Sequence, residues 1–256
     1  MWLGVVVITL ILGLVMFIYM VHKAQSDQVN RKTIKAAEYP YEQPMNIFFI
    51  SDIHNRALRP RTMNEVKDAD LVIIGGDLVD KRTSISRLKE NLKVLKEWGA
   101  PVYFIPGNND RELIGEDLVK ILEGNEIVTL SNTDDIVSLS NNRKVALTGI
   151  DPYFMKPRRE MYHLKERYPF QILCVHDPYV FYNMNEKDRE MYDLILTGHT
   201  HGGQIRIFGL GPFTSGGWFQ KDGKPLLVSE GYGTTLLPLR LGTKAECHII
   251  TVVNED

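Results

Sequence analysis

Asp52-x-His54, Gly76-Asp77, Gly107-Asn108-Asn109-Asp110, Val175-His176-Asp177 and Gly198-His199-Thr200-His201 are five short segments that each follow an apolar run and carry residue types that ligate divalent metals. Any one of them alone is more simply a turn cap or a surface group. Together they offer seven ligands: the carboxylates of Asp52 and Asp77, the imidazoles of His54, His176, His199 and His201, and the carboxamide of Asn108. This mixture of hard and borderline donors suits Mn, Fe, Co or Zn better than Mg or Ca. Seven donors are too many for one ion. Two ions about 3.5–4 Å apart, sharing a bridging carboxylate and a bridging hydroxide, would use them all, and Asp77 is the natural bridge.

Such a constellation needs rigid support. Asn46–Ser51 (NIFFIS), Leu71–Ile74 (LVII), Val102–Ile105 (VYFI), Ile172–Val175 (ILCV) and Leu194–Thr197 (LILT) are short, apolar and rich in β-formers, as expected of strands buried on both faces. Each ligand segment comes directly after one of them. In an open α/β sheet this puts the ligands along the carboxyl edge of the strands, where such folds build their sites. Helices are expected at Thr83–Trp98, with an apolar stripe ending at Gly99, and at Leu113–Glu123, ending at Gly124. Leu139–Asp151, Gln204–Phe208, Leu226–Ser229 and His248–Val253 read as further strands that would supply a second sheet.

The ordered set D-x-H, G-D, G-N-x-D, H and G-H-x-H resembles the calcineurin-like metallophosphoesterase superfamily. The continuation Gly198-His-Thr-His-Gly-Gly-Gln204 is most similar to its membrane-anchored bacterial branch, and Ser229-Glu-Gly-Tyr-Gly233 and Leu237-Pro-Leu-Arg240 extend the likeness toward the C-terminus. The resemblance implies an α/β fold, a two-sheet β-sandwich flanked by helices on both faces. It also implies that Asp52, His54 and His201 hold one metal and Asn108, His176 and His199 the other, with Asp77 shared.

One position departs from that pattern. The family's usual G-N-H-[DE] places a histidine where this chain has Asn109, and an amide cannot deliver a proton to a leaving group. It can still donate a hydrogen bond to a phosphate oxygen. General-acid help is typically worth about a hundredfold to ten-thousandfold, and its loss matters most for simple alkoxide leaving groups. Asn109 therefore tilts the expected chemistry from monoesters toward diesters or pyrophosphates, and related branches lacking the histidine include phosphodiesterases.

The first residues belong to another environment. Trp2–Val21 has no charged side chain, and as a helix it is about 30 Å long, a bilayer core's thickness. A cleaved signal peptide would want a basic start, a shorter apolar stretch and a small-x-small site, none of which is convincing here. Residues 1–21 thus read as a transmembrane anchor, 22–44 as a flexible polar linker with partial helix over Lys23–Ala37, and 45–256 as the metallophosphoesterase domain. Lys23, Arg31, Lys32 and Lys35 follow the span, which by the positive-inside bias puts the domain in the cytoplasm.

Composition sets outer limits. A chain of 256 residues, 44% apolar, can bury one α/β core. Net charge is -2, so there is no basic field to hold nucleic acid as a stable partner. Of the two cysteines, Cys174 and Cys247, the first lies inside an apolar run beside His176 and reads as a small buried hydrophobe rather than a ligand or a disulfide partner. Asp80 is either a turn cap or a group orienting a metal ligand, Asp110 and Arg111 either a local ion pair or a phosphate contact. His163 and His248 read as ordinary surface or sheet histidines. Phe213, Trp218 and Phe219 could form an apolar lip for a lipid-like substrate, although core packing is the commoner fate of such aromatics.

The sequence as a whole points to a membrane-anchored, dinuclear-metal phosphoesterase that splits phosphodiester or pyrophosphate bonds through a metal-bridging hydroxide. Its substrate would be lipid-linked or a nucleotide. A phosphomonoesterase or protein phosphatase, and a non-catalytic scaffold of the same fold, are the alternatives.

Overall fold

The computed structural model describes residues 2–66, 68–153 and 167–255. His163 lies outside them. Two six-stranded mixed sheets face each other, with helices on their outer surfaces. In chain order the elements that matter are α1 (Trp2–Gln25), β1 (Asp27–Lys35), β2 (Met45–Ile50), α2 (Pro60–Met63), β3 (Leu71–Ile74), α3 (Ile85–Lys96), β4 (Val102–Phe104), α4 (Leu118–Glu123), β5 (Val128–Thr129), β6 (Thr133–Ser138) and β7 (Lys144–Ile150). Then follow β8 (Gln171–Val175), α5 (Pro178–Tyr182), α6 (Glu186–Arg189), β9 (Leu194–Thr197), β10 (Gly217–Lys221), β11 (Lys224–Val228) and β12 (Ala245–Val253).

The first sheet runs β1-β12-β2-β3-β4-β5 and the second β10-β11-β9-β8-β7-β6. β2 through β5 are mutually parallel, as are β7, β8, β9 and β11, so the ligand-bearing ends of the central strands lie on one edge of each sheet. Alternation along each strand splits its side chains between two cores. Ile47 and Phe49 of β2 meet Ile172, Cys174, Leu194 and Leu196 between the sheets. Phe48 and Ile50 point outward to Leu88, Leu92 and Leu95 of α3. On the other outer face Leu173, Val175 and Ile195 pack against Phe181 and Tyr192. These apolar runs are uninterrupted because both sides of each strand are covered.

α3 is capped by Ser84, whose side chain accepts from the Arg87 N–H, a bond that marks the helix start. Both cysteines are buried and free among the described residues, Cys174 between the sheets and Cys247 on the outer face of the first.

Four expectations change. The helix expected over Leu113–Glu123 is confined to α4, where Asp117 caps the N-terminus. Gln204–Phe208 forms no strand and makes only isolated pairings, Ile205 with Leu241 and Ile207 with Leu210. The strand expected from Leu139 begins only at Lys144, after a tight turn at Ser140–Asn142. The largest difference is the segment expected to be a flexible tether. α1 continues to Gln25, and residues 27–35 then form β1, parallel to β12 along its whole length. Only Val29 and Ile34 give β1 apolar character, and Arg31, Lys32 and Lys35 keep this sheet edge from pairing further.

α1 is long and apolar enough to cross a membrane, and none of its most apolar stretch is buried among the described residues.

Candidate metal centre

The ligand segments emerge from the ends of β2, β3, β4, β8 and β9 and converge in the cleft between the sheets. Two groups of donors form. Asp52, His54 and His201 make one, Asp77, His176 and His199 the other, with each group's donor atoms within 4.8 Å of one another. His54 Nε2 and His201 Nε2 are 3.2 Å apart, and His176 Nε2 and His199 Nδ1 are 3.3 Å apart. Asp77 Oδ2 lies 3.8 Å from His54 Nε2 and 3.4 Å from His176 Nε2, so one oxygen faces both groups.

The backbone is strained to achieve this. Asp52, His54, Asp77, His199 and His201 all have φ between +48° and +70°, a conformation that costs a non-glycine residue about 1–3 kcal/mol and persists only where surrounding structure imposes it. The motif glycines make room. A Cβ on Gly76, at φ +87°, would lie 2.4 Å from the His176 ring, and one on Gly231, at φ +76°, 2.7 Å from Asp52 Cβ.

Charge and hydrogen bonding suit a cation. Asp52 and His176 are fully buried and Asp77 nearly so. Burial opposes the Asp52 charge, but the His201 and His176 rings outweigh it and hold its carboxyl below the usual range. Burial likewise opposes charge on His176, yet Asp77 and Asp52 push its pKa up to about 10. The cleft thus draws positive charge to these carboxylates, as a proton or as a metal. Burial takes His201 down to about 3, which keeps its ring neutral, the form that ligates. His176 Nδ1 donates to the Gly75 carbonyl at 2.8 Å, which turns Nε2 toward Asp77 Oδ2. Asn108 Oδ1 is buried without a partner among the described residues, while its Nδ2 donates to Asn109 Oδ1 at 2.9 Å. A buried carbonyl oxygen left unpaired beside these imidazoles is what a metal ligand looks like before its metal is counted. The residues fit two divalent ions.

Several supporting groups go beyond the motif residues. Asp80 Oδ2 stands 3.5 Å from His54 Nδ1 and accepts from Arg82 Nε at 2.9 Å, while Asp80 Oδ1 accepts from Arg82 N at 2.8 Å. It both closes its turn and faces a ligand. The Asp110 carboxylate is turned toward backbone donors. Buried, it accepts from the N–H groups of Asp77 (2.8 Å), Val79 (3.0 Å) and Gly107 (2.7 Å), bracing the β3 and β4 loops against each other. Burial and the adjacent Asp77 charge raise its pKa against the Gly107 and Val79 donors. Arg240, fully buried, donates to the carbonyls of Glu230 (2.6 Å), Gly231 (3.0 Å), Gly233 (2.7 Å) and His201 (3.3 Å). Its only sequence signal was its place at the end of Leu237-Pro-Leu-Arg240.

Asp27 was missed entirely. It joins Arg56, accepts from Thr62 Oγ1 (2.6 Å) and Tyr232 Oη (2.7 Å), and so ties β1 to the loop that carries Asp52 and His54. Arg56 also stacks on the Tyr232 ring at 4.2 Å. His248 is a buried sheet histidine, with Nε2 3.3 Å from Glu246 Oε1.

A cavity of about 550 Å³ opens over the donors. Asp77, Asn108, Asn109, His199 and His201 form its floor, and Ile205, Phe213, Leu236 and Leu237 its outer wall. Asn109 N–H donates to Asp77 Oδ1 at 2.8 Å, so its side chain is held beside that carboxylate. Of the aromatics considered for an apolar lip, Phe213 is on this wall, Trp218 packs against the inter-sheet core, and Phe219 is exposed on β10.

The family model for calcineurin-like phosphoesterases matches residues 45–203. The uncharacterized protein YpbG of Bacillus subtilis is 34% identical over 241 residues, covering 91% of this chain and 90% of that protein. The phosphodiesterase YaeI of Escherichia coli is 29% identical over 182 residues, 64% of this chain and 63% of that protein. Among solved structures, a 5'-nucleotidase precursor from Thermus thermophilus is similar with a TM-score of 0.48 and 13% identity, over 82% of this chain and 55% of that one, so the chain spans about half its length.

Proposed function

The chain belongs to the calcineurin-like phosphoesterase family, whose members are metal-dependent phosphoester hydrolases, and on that premise we propose that it is a membrane-anchored phosphodiesterase or pyrophosphatase with two divalent ions. The observation that carries the dinuclear reading is Asp77 Oδ2, which faces both His54 and His176. Asp52, His54 and His201 would hold one ion and Asn108, His176 and His199 the other, with Asp77 available to both. Bound there, Mn, Fe, Zn or Co would supply Lewis acidity toward phosphoryl oxygens and an activated water.

The chain's own residues do the rest. The Gly75 carbonyl fixes the ring of His176, and the Asp80 carboxylate faces the His54 ring at 3.5 Å. Asn109 is bound through its backbone N–H and its Oδ1, which leaves its amide N–H groups to donate to a phosphoryl oxygen in the cavity. It supplies no proton to the leaving group. A diester or pyrophosphate whose leaving group is already acidic needs none. The relative named as a phosphodiesterase supports the same preference.

The test compares matched monoester, diester and pyrophosphate substrates on metal-loaded protein, with elemental analysis of the same sample. We expect about two metals per chain and a kcat/KM at least about tenfold higher on diesters or pyrophosphates than on the monoester. Preference for the monoester would sink the specificity, and metal-loaded protein without hydrolysis would leave only a scaffold.

A further inference from the structure

The mouth of the cavity is more apolar than metal chemistry requires. Ile207 (59% exposed), Phe208 (101%), Leu210 (79%) and Phe213 (54%) stand out from one loop, and Leu236 (82%) and Leu237 (58%) from the next. A water-facing surface rarely gathers so many large apolar groups without a use for them. Nor is this a slack loop. Gln204 Nε2 donates to the carbonyls of Thr235 (3.2 Å) and Leu237 (3.1 Å), and its Oε1 accepts from Thr235 N (2.9 Å), tying the two loops together. Arg206 donates to the carbonyls of Gly202 (2.9 Å) and Phe213 (2.6 Å). Ile207 and Leu210 exchange backbone hydrogen bonds at 2.9 Å around a Phe208-Gly209 turn with φ of +52° and +80°. Glycine adopts that conformation freely, but phenylalanine is strained there. Polar groups turn inward and apolar groups outward, the reverse of an ordinary water-facing loop.

What stands beside the patch identifies its occupant. Arg240, which ends the Leu236–Leu239 segment, donates its N–H to the Met20 carbonyl at 3.1 Å. Among the described residues α1 is exposed up to Tyr19 and becomes covered near its C-terminal end, where Ala24 is buried. The membrane-length helix therefore reaches the domain beside the apolar rim of the cavity. Lys23 lies in its last turn, and Arg59 Nη2 meets Gln25 at 3.2 Å, so cations for lipid phosphates stand at the same place. A bilayer around α1 would reach the rim without any further partner.

We infer that the loops bearing Ile207–Phe213 and Leu236–Leu237 seat in the headgroup and acyl boundary of the bilayer, so that the cavity opens onto the membrane and takes a phosphate ester carried by a lipid. This rests on the phosphodiester reading above for its chemistry and on the geometry of the rim for its place.

The full-length protein, anchor included, is reconstituted in vesicles of phosphatidylcholine and phosphatidylglycerol. Phe208→Cys is labelled with a nitroxide, Cys174 and Cys247 being buried and out of reach of the reagent. We expect the label to collide with dissolved oxygen more than with a water-soluble nickel complex. Free access of the nickel complex would overturn the seating. In parallel, the double variant Phe208→Glu, Leu210→Glu, at positions outside the cavity lining, is assayed on two diesters with one leaving group: para-nitrophenyl hexadecyl phosphate in the vesicles and para-nitrophenyl ethyl phosphate in solution. Turnover of the first should fall at least about tenfold and of the second less than about twofold. Equal effects on both, or on neither, would overturn the lipid substrate. If unaltered protein splits neither diester, the phosphodiester reading fails with the substrate class, while the nitroxide still decides the seating.

Discussion

Asp77 and Asn109 are where single atoms decide the chemistry. Because one oxygen of Asp77 faces both donor groups while the other accepts the Asn109 N–H, Asp77→Ala should reduce turnover by more than about a thousandfold and lower bound metal further than His201→Ala does. Elemental analysis that still finds about two metals per chain in Asp77→Ala would refute the bridge. Asn109→His restores an imidazole beside Asp77. Proton donation helps in proportion to the charge left on the departing oxygen, large for an alkoxide and small for a nitrophenolate. Log rate plotted against leaving-group pKa should therefore be flatter for the histidine variant. Parallel lines would mean that another group already assists the leaving oxygen, and the preference for diesters would lose its basis.

β1 and the loop after β2 behave as one unit. The Asp27 carboxylate lies against Arg56, Thr62 and Tyr232, and Tyr232 N donates to the Ser51 carbonyl at 2.9 Å, immediately before Asp52. Removing β1 strips β12 of a strand and leaves the Arg56 guanidinium without its carboxylate. Loss of one partner of a buried ion pair typically costs about 3–5 kcal/mol. For a domain of this size that is on the order of 10 °C in melting temperature. Protein beginning at Ser26 should thus melt roughly that much higher than protein beginning at Glu42. Equal melting temperatures would show that β1 is only laid against the sheet.

At the scale of the whole molecule, sidedness turns on a few charges. Lys23, Arg31, Lys32 and Lys35 follow α1, and this bias predicts a domain facing the cytoplasm. Arg31, Lys32 and Lys35 also line the outer edge of β1, so their folded role does not compete with a topological one. Fusions at the C-terminus with one reporter active only inside and one active only outside the membrane should light up the inside reporter. The opposite result would place the cavity among extracellular substrates.

The ligand segments and their strands were legible from the sequence, because metal-binding residue types directly after apolar β-runs are an uncommon pattern with few other uses. Asp52, His54, Asp77, Asn108, His176, His199 and His201 do converge. α3 was legible too, since its apolar stripe and Ser84 cap are local features. β1 was not. Its residues look like solvated linker, and only pairing with β12, more than two hundred positions away, makes them a strand. The same is true of Asp27, Asp110 and Arg240, whose partners are backbone groups and side chains brought close by other elements. Phe213 could be named in advance as an aromatic, but its exposure at the cavity mouth beside the end of α1 depends on how far-apart loops pack. Local patterns specify which residues can do chemistry, whereas long-range packing determines which of them are held, braced and turned toward one site.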